Sequence, residues 1–253
     1  MAYCLLPVAS RLLPNPPVNL VLLFESDFIG PARVRLDGRR AAHVRAVHRA
    51  RVGDELRVGI LNGKIGKGRV VVEGEAVVEM DVSLDSDPPP ALPVTLILAM
   101  PRPKMFARIL QSISAMGVKK VFLIDTWRVE RSFWESGKLD QTFIDDQFVL
   151  GLEQSVDTVM PQLEVRRRFI PFVEDELPAI VSGTLPIVAH PLATAPCPSG
   201  LEGPVTLAIG PEGGFTSNEI EILTALGFRQ VHIGPRVLRV ETAVPAILGR
   251  LFA

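Results

Sequence analysis

The sequence predicts an α/β protein of two domains, a small β-barrel or open β-sandwich followed by a larger domain built on a parallel sheet. Short alternating or β-branched runs separated by turn residues fill residues 32–84. After residue 94, apolar strand-like runs alternate with helical patterns. Between the two regions lies the proline-rich segment Asp87–Pro93, which stiffens the chain. We therefore divide the chain into domains at 1–90 and 91–253.

Composition excludes several classes of protein. Of 253 residues, 47% are hydrophobic and 22% are charged, which indicates a folded protein and not a disordered one. No apolar run reaches the ~20 residues that cross a bilayer, so we expect no membrane span. Two cysteines, Cys4 and Cys197, are too few for a disulfide scaffold and indicate a reducing cytoplasm. His43 and His48 lack zinc-motif spacing, so no metal is expected.

The first region combines predicted strands with a lopsided charge distribution. Arg33–Arg69 contains eleven basic and three acidic residues, 11 − 3 = +8, and residues 70–91 then carry six carboxylates and no basic residue. This pattern fits either a surface that faces a polyanion or a solvated face that binds nothing. Strands are predicted at Ala32–Leu36, Glu55–Leu61, Lys67–Glu73 and Ala76–Leu84, and a helix at Ala41–Arg51.

The second region alternates strand and helix, a rhythm that requires parallel pairing with crossover helices. Gly117 stands where a left-handed residue ends a helix. Predicted strands are Val94–Met100, Val118–Asp125, Gln162–Phe169, Pro186–His190, Val205–Gly210 and Arg229–Gly234, and predicted helices are Pro103–Met116 and those near 139–156, 172–181, 217–226 and 241–252.

A glycine-rich loop joins the predicted strand at Val205–Gly210 to a helix. Its sequence, Gly210-Pro-Glu-Gly-Gly-Phe215, lets backbone N–H groups approach a ligand without side-chain obstruction. Thr216 and Glu219 have the spacing of a capping box at the start of that helix. The loop matches neither the NTPase nor the dinucleotide fingerprint. It therefore either binds another small molecule or only forms a tight turn.

A second loop follows the predicted strand at Arg229–Gly234 and is rich in charge. Arg236 and Arg239 at the carboxyl edge of a parallel sheet indicate recognition of phosphate or carboxylate. Glu241, at the start of the next helix, is also explained by the helix dipole alone. We expect Pro245 in the first turn of this helix, where its missing N–H costs little.

These two loops together resemble the RsmE-type 16S rRNA methyltransferases of the SPOUT class. The resemblance is carried by Gly210–Phe215 and by the later run Gly234–Ala243. His43–Arg49 ahead of Val52-Gly-Asp54, Lys104, and Glu153-Gln154-Ser155 agree with the family in order. The chain departs from the family in two places: Ser155–Thr158 replaces a segment where relatives usually carry an arginine, and a proline-rich stretch, Leu13–Pro17, precedes the first domain.

The resemblance implies a fold, a cofactor and a reaction. The fold would be a trefoil-knotted α/β methyltransferase domain with a parallel sheet, preceded by a PUA-like β-barrel that binds RNA. The protein would act as a homodimer on N3 of one uridine in 16S rRNA of the small ribosomal subunit, with S-adenosylmethionine as methyl donor. The donor would lie among three loops, on His190, Pro191, Gly210, Glu212, Gly213, Gly214, Ile233, Gly234, Val237 and Leu238.

Methyl transfer to N3 requires management of a proton, since N3 of uracil is protonated at neutral pH. Arg236 and Arg239 are candidates to stabilise the resulting anion or to bind flanking phosphates, and Glu241 is the candidate proton acceptor. The predicted RNA-binding residues are Arg33, His43, Arg45, Arg49, Arg102 and Lys104.

Two other functions remain open at this point. A SPOUT enzyme acting on another base or on transfer RNA shares every donor-side feature, and a non-catalytic RNA-binding or ribosome-assembly protein would need only the basic segment. The aromatic segment after the predicted strand Val118–Asp125 also has two interpretations. Its residues either stack on RNA bases or pack in the core: Trp127, Phe133 and Trp134, with Arg128 and Arg131 between them.

Overall fold

The computed structural model describes residues 19–48 and 50–253 and places them in two six-stranded sheets. The first sheet has the order β1-β4-β5-β6-β3-β2 and is antiparallel except for the parallel pair β1 and β4. Its strands are β1 (Val21–Leu23), β2 (Phe28–Gly30), β3 (Arg33–Asp37), β4 (Glu55–Ile60), β5 (Ile65–Glu73) and β6 (Val77–Ser86).

The four strands predicted in this region are confirmed as β3 to β6, whereas β1 and β2 were not predicted. Each of these two is only three residues long, and β1 is held by parallel pairing with β4 more than thirty residues away. Helix α1 (Gly38–His43) continues as a π-helical turn over Val44–His48. The predicted helix Ala41–Arg51 is therefore wrong at its start by three residues, because Gly38 adopts a φ of +51° and turns the chain directly out of β3.

The second sheet is entirely parallel, in the order β12-β10-β11-β7-β8-β9, which confirms the predicted α/β class. Its strands are β7 (Val94–Ala99), β8 (Lys120–Ile124), β9 (Gln162–Arg166), β10 (Leu185–Ala189), β11 (Val205–Ile209) and β12 (Arg229–Val231). The helices are α2 (Pro103–Ala115), α3 (Arg131–Trp134), α4 (Gln141–Ser155), α5 (Phe169–Pro171), α6 (Leu177–Val181), α7 (Ser217–Ala225) and α8 (Val240–Phe252), with a π-helical turn at Phe172–Glu176.

Helices cover both faces of this sheet, which explains why its central strands are apolar throughout. In β7, Leu96 and Leu98 pack towards α2, α4 and α8, whereas Ile97 and Ala99 pack towards α7 and the Phe172–Val181 segment. Gly117 ends α2 with a φ of +81°, as predicted. The prediction for Pro245 is wrong: α8 begins at Val240, so Pro245 is its sixth residue and lies inside the helix.

The first sheet docks on the second through the turn between β4 and β5. Asn62, in the left-handed region with a φ of +58°, donates its N–H to the Thr158 carbonyl (2.8 Å) and accepts from the Met160 N–H (2.9 Å). Leu20 donates its N–H to the Glu153 carbonyl (2.8 Å). A Cβ on Gly59 would lie 2.6 Å from Cγ2 of Thr158. The two sheets are therefore held in contact by backbone bonds and close packing.

Replacement of Gly151 by alanine is expected to lower the free energy of unfolding by about 1–3 kcal/mol. Gly151 lies on α4 against α2, and its new Cβ would lie 2.5 Å from the Gln111 carbonyl oxygen and 2.6 Å from Cβ of Ser114. Urea unfolding measures the change. Gly249→Ala in α8 is the matched control, because no atom lies within 4 Å of its added Cβ and the helix should gain up to about 1 kcal/mol. Equal stability of the two variants would contradict the packing described.

Candidate active site at the carboxyl edge of the second sheet

Three loops converge at one edge of the second sheet because β12, β10 and β11 are adjacent and parallel. The loops enclose a cavity of about 320 Å³, which we call the donor cavity. All ten residues predicted to bind the donor line it, together with Arg236, Arg128 and His232. The structure therefore brings the predicted donor residues together: His190, Pro191, Gly210, Glu212, Gly213, Gly214, Ile233, Gly234, Val237 and Leu238.

The glycine-rich loop after β11 has no room for side chains at two positions. A Cβ on Gly210 would lie 3.0 Å from the Phe215 nitrogen, and one on Gly213 would lie 3.2 Å from Cβ of Arg128. The Arg128 guanidinium donates to the carbonyls of Gly213 (2.7 Å) and Phe215 (3.3 Å). Gly214 has a φ of +69°. The loop is thus a close-packed backbone wall of the donor cavity.

The predicted capping box behind this loop is confirmed. The Thr216 N–H donates to Oε2 of Glu219 (2.7 Å), and the Glu219 N–H donates to Oγ1 of Thr216 (3.3 Å). The other carboxylate oxygen of Glu219, which is 5% exposed, accepts the Trp127 N–H at 2.8 Å. Sequence analysis missed this last contact because 92 residues separate its partners. Glu219 therefore ties the loop after β8 to the loop after β11.

The loop after β12 is held by its histidine and by the segment that follows β10. Nδ1 of His232 accepts the Gly234 N–H (3.1 Å), which fixes the turn in which Gly234 has a φ of +138°. The His232 backbone donates to the Ala195 carbonyl (2.9 Å) and accepts from the Cys197 N–H (2.7 Å). Two of the three loops are therefore bonded to each other before any ligand binds.

His190 presents a buried polar atom without a partner. Its backbone N–H donates to the Val231 carbonyl (2.9 Å), but Nδ1 is buried and has no hydrogen-bond partner among the described residues. Burial lowers the pKa of His190 below its ordinary value of 6.5. The residue lines the donor cavity as a neutral imidazole with hydrogen-bonding capacity to spare. The unpartnered Nδ1 of His190 and the glycine-rich loop Gly210–Gly214 are both suited to binding a small molecule.

A second cavity, of about 630 Å³, shares a wall with the donor cavity; we call it the acceptor cavity. Arg239 and Glu241 line it, with a guanidinium-to-carboxylate distance of 4.0 Å, whereas Arg236 lines the donor cavity. The predicted catalytic residues therefore divide between two adjoining cavities. The shared wall consists of Pro211, Glu212, Val237, Leu238 and Val240.

Two of the predicted RNA-binding residues, Arg102 and Lys104, also line the acceptor cavity. The Arg102 backbone N–H donates to the Glu212 carboxylate (2.9 Å), which joins the start of α2 to the glycine-rich loop. Phe133 adds an aromatic ring to this cavity, and Trp134 is buried with its Nε1 donating to Asp125 (3.0 Å). Packing is therefore the correct interpretation for Trp134.

Five of the eleven basic residues of Arg33–Arg69 form ion pairs with carboxylates in the described part of the chain, four of them on paired strands. β3 and β6 are in antiparallel register, so Arg33 faces Asp81 and Arg35 faces Glu79, and both pairs form ion pairs. The Arg45 guanidinium donates to the carbonyls of Gly74 and Glu75. The further paired cations are Arg40 with Asp27, and Lys67 and Arg69 with Glu55. The His43 side chain, Arg49 and Cys4 lie outside the described residues.

Within residues 19–48 and 50–253, no three His, Cys, Asp or Glu side chains form a group that could hold a metal ion. None of the helices in the described part of the chain has the length and hydropathy of a membrane span.

The sequence of this chain is similar to a protein family and to individual known proteins. A family model described as an RNA methyltransferase domain matches residues 88–252. The ribosomal RNA small subunit methyltransferase E of Treponema pallidum is 29% identical over 242 residues, 93% of this chain and 91% of that protein. The protein of the same name from Synechocystis sp. is 28% identical over 98% of this chain and 82% of its own length.

Solved structures share the fold. A ribosomal RNA small subunit methyltransferase E from Neisseria gonorrhoeae, bound to S-adenosyl methionine, superposes with a TM-score of 0.69 at 19% identity, over 92% of this chain and 95% of that chain. A putative methyltransferase from Legionella pneumophila in complex with the cofactor SAM has a TM-score of 0.68 at 22% identity, over 90% and 95% of the two chains.

Gly210→Ala is expected to weaken binding of S-adenosylmethionine at least tenfold, about 1.4 kcal/mol, because the new Cβ displaces Phe215 and with it the loop wall. Isothermal titration calorimetry measures the affinity. Gly203→Ala is the matched control, since no atom lies within 4 Å of its added Cβ. Equal donor affinity of the two variants would remove Gly210 from the donor site.

Acidification is expected to destabilise the protein through His190. Because its pKa is lowered in the folded protein, the unfolded chain binds the proton more readily, and the free energy of unfolding decreases as the pH falls below about 6.5. Urea unfolding at pH 7.5, 6.5 and 5.5 measures the slope, which should be shallower in His190→Gln. The same slope in both proteins would show that His190 does not contribute.

Proposed function

The chain belongs to the RNA methyltransferase family, and from that premise we propose that it methylates N3 of a specific uridine in the 16S rRNA of the small ribosomal subunit. The observation that carries the proposal is the convergence of all ten predicted donor residues on one cavity that adjoins a second, cationic one. The curated relatives, matched over most of their length, take their names from the small ribosomal subunit. A ribosomal substrate places the reaction in the cytoplasm.

The methyl donor is S-adenosylmethionine, which supplies an electrophilic methyl group on a sulfonium. The donor cavity orients it by shape and by backbone contacts at Gly210–Gly214 and Gly234. His190, whose buried Nδ1 has no partner among the described residues, would offer the bound donor a hydrogen bond, and its lowered pKa limits positive charge in the cavity. Since transfer to a nitrogen needs in-line alignment of nucleophile and donor, the protein accelerates it chiefly by positioning.

The target uracil occupies the acceptor cavity and presents N3 to the donor cavity where the two cavities adjoin, so that the methyl group passes directly from sulfur to nitrogen. Arg239, which is 85% exposed at its side chain, stabilises the negative charge that develops on the base when N3 loses its proton. Glu241, in the first turn of α8 with a side chain that is 16% exposed, accepts that proton. Arg236 acts from the donor side of the wall.

The substrate RNA is bound by basic residues of both domains. The first domain spans residues 1–90 and the second spans residues 91–253. Arg102 and Lys104 contact RNA beside the acceptor cavity. The first domain, a PUA-like barrel, contributes Arg33, His43, Arg45 and Arg49. Arg33 remains 44% exposed at its side chain although it is paired with Asp81, so phosphate competes with a surface ion pair of small net strength.

The carboxyl-terminal segment passes through a trefoil knot. Two features support this part of the proposal. The segment after β10 is bonded to the loop after β12, at Ala195, Cys197 and His232, and its later residue Leu201 donates its N–H to the Leu251 carbonyl of α8 (2.7 Å). The chain between β10 and β11 therefore lies against both ends of the stretch that runs from His232 to Leu251.

The active form is a homodimer in which the partner covers the apolar part of the donor-cavity rim at Leu192 and Val237 and leaves the Trp127 side open. Leu192 and Val237 line that cavity and are 83% and 80% exposed, which is unusual for aliphatic side chains at a binding site. A second copy would remove this apolar surface from water.

The proposal is tested by incubation of the protein and labelled S-adenosylmethionine with unmodified small subunits and with naked rRNA, followed by nucleoside mass spectrometry. The expected product is 3-methyluridine. Another methylated nucleoside, or transfer only to transfer RNA, would reassign the substrate within the family. Donor binding in the calorimeter without transfer to any RNA would overturn the proposed substrate, and no donor binding would favour a non-catalytic RNA-binding protein.

In the same assay Arg239→Ala is expected to reduce the rate of transfer at least about 100-fold, the usual loss when one group that stabilises a developing anion is removed. Donor affinity should stay within about twofold, because Arg239 lines the acceptor cavity and not the donor cavity. Arg229→Ala, at the opposite edge of the sheet, is the control. An equal collapse of donor affinity would show that Arg239 holds the donor.

A further inference from the structure

Trp127 stands out among the aromatic residues because 86% of it is exposed to solvent. The loop that carries it is firmly held: its backbone N–H donates to the buried carboxylate of Glu219, and Val129 donates to the Thr126 carbonyl (3.0 Å). Exposure of a large aromatic ring on a fixed loop rules out the packing interpretation for this residue. Such a ring is available to a partner at little cost in conformational entropy.

The position of Trp127 connects it to the candidate active site. The next residue, Arg128, lines the donor cavity and bonds to Gly213 and Phe215. Glu219, which holds the Trp127 backbone, also caps α7 directly behind the glycine-rich loop. Trp127 therefore lies at the rim of the donor cavity, one residue from its wall.

Unpaired arginines flank this position along the carboxyl edge of the sheet. Parallel register aligns Ile124 of β8 with Arg166 of β9, and the Asp125 N–H donates to the Arg166 carbonyl (3.0 Å), so Arg168 follows beside the Trp127 loop. Arg131 opens α3 four residues after Trp127. Arg131 and Arg168 are exposed, and neither forms an ion pair with a described residue.

The carboxylates near this edge form no ion pair with these two arginines in the described part of the chain. Asp125 accepts the Trp134 indole N–H, Glu219 is buried against backbone donors, and Glu130 is exposed. Two guanidinium groups without ion pairs thus accompany the exposed ring.

We infer that single-stranded RNA next to the target nucleotide binds along this edge, with one base stacked on Trp127 and its phosphates on Arg131 and Arg168. Stacking on an aromatic face accepts any base, and guanidinium groups pair with phosphate oxygens. Continuity with the donor cavity favours RNA over a protein partner. The inference rests on the proposed function, in which RNA is the substrate.

Fluorescence gives a direct test, because the chain contains two tryptophans and the other, Trp134, is buried. The test protein is Trp134→Phe, in which Trp127 is the remaining tryptophan, and the wild-type protein serves as a check on folding. A uridine-containing single-stranded RNA decamer should quench the emission that is also accessible to acrylamide, which is that of Trp127. RNA binding without quenching would overturn the inference. Quenching or a blue shift that depends on protein concentration and not on RNA would also overturn it, and would assign Trp127 to contact with a second copy.

Substitution separates the stacking and phosphate contributions. Trp127→Ala should weaken decamer binding by about 5-fold to 150-fold, and Trp127→Phe by less, because phenylalanine keeps a ring. Arg131→Ala and Arg168→Ala should each reduce the slope of the logarithm of the binding constant against the logarithm of the salt concentration, by about the contribution of one phosphate contact. Arg229→Ala, with an exposed arginine at the opposite edge, should change neither quantity.

The outcomes distinguish this inference from the proposed function. If the wild-type protein methylates no RNA, the proposed function has failed. If the wild-type protein methylates rRNA and Trp127→Ala binds and methylates it equally well, only the role of Trp127 has failed. Donor affinity should be the same in all five of these variants, since none of the substituted side chains lines the donor cavity.

Discussion

The candidate active site depends on the insertion of β10 between β11 and β12. Parallel pairing of β10 with both neighbours brings their carboxyl ends to one edge, and the residues that follow them, His190, Gly210 and His232, then enclose a single cavity. Parallel pairing of this kind is stabilised by backbone hydrogen bonds and by burial of both faces of the sheet. Glycine is then needed where the backbone packs closely or turns back on itself, at Gly210 and Gly234.

A second constraint is the network of side-chain bonds that ties these loops to the rest of the sheet. Glu219 joins the loops after β8 and β11, and Glu212 joins the loop after β11 to the start of α2. Both use a carboxylate to accept backbone N–H groups that would otherwise lack partners at helix or loop ends. These bonds hold in place the loops that line both adjoining cavities, so that a bound donor and a bound base can be aligned.

The docking of the first sheet depends on the segment Ser155–Thr158 that follows α4. Asp157 pairs with Lys119 (2.6 Å), and Thr158 bonds to Asn62 and Gly63 in the turn between β4 and β5. Cγ2 of Thr158 lies so close to Gly59 that an added Cβ there would be 2.6 Å away. This short segment therefore holds the first sheet against the second domain.

The sequence by itself determined the α/β class, the four longer strands of the first sheet, every strand of the second, the capping box and the residues of the donor cavity. The strands and the capping box follow from local patterns, because turn chemistry, strand alternation and helix caps depend on neighbours in the chain. The donor-cavity residues came instead from the resemblance to a known family, carried by Gly210–Phe215 and Gly234–Ala243. Tertiary structure decided the short strands β1 and β2, the interior position of Pro245 and the contact of Trp127 with Glu219. It also decided the partners of individual charges: Arg33 meets Asp81 because strand register and not sequence distance sets its neighbour, whereas Arg168 forms no ion pair with any described residue.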